Sequence, residues 1–92
     1  MRVATLKVDS VAASAIDLAR AAAIDSGGED AVGEHLGVVA EGERVVTHSF
    51  ACLLAGYPDW YWAVTLVRAS RARAATINEV VLLPRTDALL AP

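Results

Sequence analysis

The sequence predicts an α+β domain, with an N-terminal helix packed on an antiparallel sheet of about four strands in a meander. Three observations lead there. An alanine-rich stretch with helical periodicity fills residues 11–25, and Gly27 and Gly28 close it. From Leu36 the apolar period shortens from about 3.6 towards 2. Turn residues then recur at short intervals, as tight connections between antiparallel neighbours require.

Residues 1–8 are ambiguous between a short strand and a lead into the helix, with Val3, Leu6 and Val8 as apolar positions. Asp9 or Ser10 can cap the helix, because a short side-chain oxygen accepts free amides of the first turn. On a helical projection Val8, Val11, Ala12, Ala15, Ile16, Leu18, Ala19 and Ala22 share one arc, and Ser14, Asp17, Arg20 and Asp25 lie opposite. The apolar arc is mostly alanine. Alanine adds little buried area but lets backbones approach closely, so the helix is expected to lie tight on its neighbour. Gly27 and Gly28 supply the left-handed stop.

Residues 29–34 form an acidic connector with room for one helical turn. Residues 36–41 read as the first strand. Gly42 is free to take positive φ in the turn that follows, between Glu41 and Glu43. Residues 44–53 form the second strand, with Val46, His48, Phe50 and Cys52 on one face and Val45, Thr47, Ser49 and Ala51 on the other. Gly56 and Pro58 mark the next turn. Residues 60–68 form the third strand, in which Trp60, Trp62, Val64 and Leu66 alternate with Tyr61, Ala63, Thr65 and Val67. A basic loop covers residues 69–73. A fourth strand runs from Ala74 or Thr76 to Leu83 and is closed by Pro84. Leu89 and Leu90 are apolar without an evident place, so the 92 residues are expected to be one small domain and the N-terminal portion of a longer protein.

Composition narrows the function classes. Hydrophobic residues make up 55% and charged residues 21%, which excludes a disordered chain. The mean hydropathy of +0.44 is high for so small a domain and suggests apolar surface covered by a partner or a second copy. No apolar run approaches the roughly 20 residues of a membrane-spanning helix. With no secretion signal evident, the expected location is cytoplasmic. The net charge is −3, and eight of the eleven acidic residues precede Arg44. That balance opposes a nucleic-acid binder of the strongly basic kind. The single cysteine, Cys52, excludes an internal disulfide and a thiolate-rich zinc site.

Several phrases in order carry a likeness: 32–37, 43–54, Gly56-Tyr57-Pro58, 62–66, 80–84 and 87–92. Together they make residues 19–92 similar to the N-terminal part of an uncharacterised actinobacterial family known only as a domain of unknown function. The resemblance implies members longer than this chain. It implies no catalytic residues.

His35 and His48 are the two histidines. A zinc site would need both and a carboxylate such as Glu34 or Asp59. A turn at Gly42 pairs position n with about 85 − n, which sets His35 by Phe50 and His48 by Gly37. The two are then diagonal neighbours rather than a direct pair, and no metal or cofactor is expected. Glu41 and Glu43 flank an exposed turn, where nothing raises a carboxyl pKa. No phosphate loop or nucleophile elbow exists.

Tyr57, Trp60, Tyr61 and Trp62 crowd six residues, and Arg68, Arg71 and Arg73 add a positive edge. Tyrosine and tryptophan give large contact area at low entropy cost. These seven are the candidate interaction residues. The expected function is a non-enzymatic protein-interaction or structural module that self-associates or docks on another protein. Two alternatives stay open. One is single-stranded nucleic-acid binding through the aromatics and the arginine loop. The other is a small-molecule-binding or enzymatic domain completed by sequence beyond this chain.

Overall fold

The computed structural model describes residues 7–85. It has two short helices, one 3-10 turn and a four-stranded antiparallel sheet in the order β1-β2-β3-β4. The readings of Val3, Leu6, Leu89 and Leu90 fall outside the described residues. The α+β meander is the architecture the sequence predicts.

The helix comes in two pieces, α1 (Ser10–Ser14) and α2 (Ile16–Gly27). Asp9 caps α1 by accepting from the Ala12 amide at 3.0 Å. The break is at Ala15, whose ψ of 49° leaves the helical region. The Ala12 carbonyl then accepts from the Ala15 amide at 3.3 Å instead of from the residue four ahead. The break also rotates α2 away from the expected arc. Ala12, Ala19 and Ala23 are fully buried, whereas Val8 and Leu18 are exposed. Gly28 ends α2 at φ 100°, which side-chain-bearing residues rarely adopt. A 3-10 turn, Glu29–Ala31, leads straight into β1 (Val32–Gly42). That strand therefore starts four residues before the predicted one.

β2 (Val45–Cys52), β3 (Trp60–Val67) and β4 (Thr76–Pro84) follow as expected. The first hairpin turns at Glu43 and Arg44, and Arg44 rather than Gly42 takes positive φ, at 59°. The register also differs. His35 pairs with Phe50 as predicted, but a bulge at Leu36 shifts the ladder so that His48 faces Val38. One extra residue on β1 thereby re-aims the side chains on either side of it.

The helices cover one face of the sheet. Val46, His48 and Phe50 from β2, with Trp62, Val64 and Leu66 from β3, point inward and are buried. Burying a side chain such as Phe50 or Leu66 contributes about 1.5–3 kcal/mol. The alanines let the helix backbone come close. Gly27 carries this furthest, since a Cβ there would overlap the Trp62 indole. That indole cannot yield easily, because its Nε1–H donates to the Ala31 carbonyl at 3.0 Å. Gly27→Ala is therefore expected to destabilise the fold by roughly 1–2 kcal/mol, despite alanine's better helix propensity. Urea denaturation checks this, and an unchanged or higher midpoint would contradict the close seating.

Candidate functional site

Two features stand apart from ordinary packing: a histidine pair beneath the helices and, on the other side, a sheet face that no described helix covers. His48 is completely buried. Its Nε2 lies 2.8 Å from the Ala12 carbonyl and its Nδ1 lies 2.9 Å from His35 Nε2. A carbonyl can only accept, so His48 carries its proton on Nε2. Nδ1 is then an acceptor, and His35 Nε2–H donates to it. The Ala12 carbonyl that orders this chain accepts from both the Ala15 amide at the helix break and His48.

His35 sits half-buried on β1, its ring edge-on to Phe50 at 5.1 Å between centroids. Arg20 of α2 lies 4.9 Å over the same Phe50 ring and donates to the Gly33 carbonyl at 2.8 Å. Burial lowers the His35 pKa below its ordinary 6.5, and His48 and Arg20 lower it further by repulsion. A base with a depressed folded pKa stabilises the fold fully above the unfolded value. That contribution is lost as pH falls from about 6.5 through the folded pKa. Side chains at diagonal positions thus reach each other, which backbone register does not reveal. Among the described residues no third histidine, cysteine or carboxylate joins them, so a metal would find two ligands.

On the opposite face Val39, Thr47, Ser49, Ala63, Thr65 and Val81 form a flat surface of small and β-branched residues. The Thr47 and Thr65 hydroxyls bond each other at 3.0 Å. Val39 is 55% exposed and Leu36 and Leu83 are also open to solvent. A groove of about 420 Å³ crosses this face, lined by Leu36, Gly37, Val39, Ser49, Tyr61 and Arg85, among others. Alternation in β2 and β3 made the face legible in the sequence, but Leu36 and Arg85 join it only through the bulge and the sheet's end.

The seven sequence-predicted interaction residues are not brought together. Tyr61 lines the groove. Trp62 is buried in the core. Tyr57 packs edge-on against Trp60 at 5.0 Å in the β2–β3 connection, with Tyr57 exposed. Arg71 and Arg73 are exposed in the β3–β4 loop. Arg68 faces Asp9 instead, its Nη2 2.7 Å from Oδ1 and its Nε 2.9 Å from Oδ2. Arg68 and the Ala12 amide together hold the Asp9 carboxyl at about 2, against an ordinary 3.8.

The chain matches the family described as Protein of unknown function (DUF3027) over residues 33–92. It belongs to that family. Uncharacterized proteins of Mycobacterium bovis and of two Mycobacterium tuberculosis strains are each 48% identical over 83 residues. The aligned part is 90% of this chain and 32% of each relative, so the chain spans about a third of their length. No solved structure matches. The DUF3027 match holds the whole sheet from Gly33 onward, including both histidines and the groove. No helix among the described residues is long and apolar enough to cross a membrane.

The low Asp9 pKa sets an acid limit on the fold. Its contribution is complete above about pH 3.8 and is lost as pH falls through about 2. Asp9→Asn keeps a capping oxygen but removes the charge. The variant is expected to unfold at lower temperature than the parent at pH 7, with the gap closing near pH 2. Thermal scans across that range measure it.

Proposed function

We propose that the chain is a non-enzymatic protein-docking module that self-associates through the open face of its sheet. The sheet face left free of described helices carries this reading. A sheet with one helix-covered face normally presents polar residues on the other. Here the second face offers Leu36, Val39 and Leu83 to solvent around buried Thr47 and Ala63, with hydroxyls that bond each other and charge at its margins at Glu79 and Arg85. Such a surface suits the face of another sheet, which packs about 10 Å away.

The size is adequate for a reversible contact. Four strands about 4.8 Å apart and eight residues long present roughly 500 Å². Two copies would then bury about 1,000 Å² in total, at the lower limit for a specific interface. The sheet edges are less suited to pairing. β1 is interrupted by irregular register at three points, and β4 by the unpaired Asn78 opposite Thr65 and Leu66 of β3 and by Pro84. The arrangement favours protein over single-stranded nucleic acid, because Trp62 is committed to the core and Arg68 to Asp9.

Analytical ultracentrifugation tests the reading. The parent is expected to show concentration-dependent dimer formation. Val39→Lys is expected to be monomeric with an unchanged melting temperature, since Val39 is 55% exposed and supports no core contact. A parent that stays monomeric at millimolar concentration would count against self-association.

A further inference from the structure

We propose that His35 and His48 form a proton latch on the edge strand β1, holding His35 against the sheet while the pair carries at most one added proton and releasing it when the pair carries two. The geometry defines the states. Without an added proton, one hydrogen lies on the 2.9 Å line between His35 Nε2 and His48 Nδ1. A first proton is accommodated on the outer nitrogen of His35, and the hydrogen bond survives. A second would leave both facing nitrogens protonated, two donors and two cations meeting with no acceptor between them.

The surroundings do not relieve that repulsion. From α1 comes the Ala12 carbonyl, which already takes the His48 Nε2 proton. From α2 comes Arg20, a fixed positive charge. The strand partners of His48 are Val38 and Val64, both apolar. Among the described residues no carboxylate bonds either ring, and Glu34 beside His35 is exposed.

His35 is the ring that can leave. His48 is enclosed between helix and sheet, whereas His35 is half-buried on an edge strand and, among the described residues, its side chain bonds only His48. Its departure uncovers Phe50 and removes the anchor beside the bulge at Leu36. The β1 backbone then opens locally while the rest of the sheet persists. Such openings register as loss of amide protection.

Amide exchange measured near pH 7.5 and at about pH 4, where a second proton can add while the Asp9 contribution still holds, corrected for intrinsic rates, tests the latch. In the parent, protection across residues 33–39 is expected to fall about tenfold or more at the lower pH, while β3 stays protected. In His35→Gln, whose amide can still donate to His48 Nδ1 but does not titrate, the fall is expected to be less than about twofold. Equal losses in both proteins, or none in the parent, would overturn the latch. Ring nitrogen spectra of the parent provide a second readout that does not depend on the variant folding. Two separated protonation steps, with the His35–His48 bond lost only at the second, support it. A single shared step at the ordinary imidazole pKa overturns it.

Discussion

A fully buried imidazole must place both of its nitrogens, and much of this small structure is arranged around that requirement. His48 stands at the centre of the inner sheet face with no access to water. One nitrogen takes the Ala12 carbonyl and the other takes His35. An uninterrupted helix would have bonded that carbonyl to its own amide four residues on. At the break the carbonyl accepts the Ala15 amide and His48 together, and the β1 strand brings His35 to the other side. An unpaired nitrogen in this position would forfeit about 1–3 kcal/mol, a large share of a small domain's stability. Among the described residues no buried side-chain polar atom is left without a partner.

Around that polar centre the core is built by close approach rather than by bulk. Ala12, Ala19 and Ala23 seat the helices low on the sheet, and Gly27 admits the Trp62 ring beneath the end of α2. Trp62 in turn ties to the Ala31 carbonyl, which also accepts the Leu53 amide. The start of α1 is fixed differently. Asp9 caps it and grips Arg68, and Arg68 bonds the Ala72 carbonyl in the next loop. A single carboxylate therefore fastens the helix entry to the far end of β3.

This construction leaves the sheet asymmetric. All the described helical cover lies on one face; the opposite face has small, largely buried residues at its middle and exposed apolar ones at Leu36, Val39 and Leu83. The relatives in the family extend over about three times the aligned length. Both the open face and the histidine pair lie in the part of the chain that the family match covers. They are separate features: one presents surface to a partner, while the other governs how firmly an edge strand is held.

The residues by themselves determined the element types and their order. Alanine-rich periodicity, the glycine stop and the two-residue alternation are local signals, each set by backbone preference or by which side faces water. They also sorted the residues of β2 and β3 onto two faces, while the tertiary structure decided which of the two points inward. The candidate site was less legible. Tyr57, Trp60, Tyr61 and Trp62 crowd together in sequence, yet strand alternation sends Trp62 into the core and Tyr61 to the open groove. Arg68 read as part of a basic edge because its partner Asp9 lies 59 residues away. His35 and His48 read as diagonal neighbours because register fixes backbone positions, not the reach of side chains. Tertiary structure alone decided the helix break, the Leu36 bulge and the histidine contact. The bulge and the histidine contact depend on pairing between distant parts of the chain, and the Ala12 carbonyl at the break meets His48 from 36 residues away, which no local pattern records.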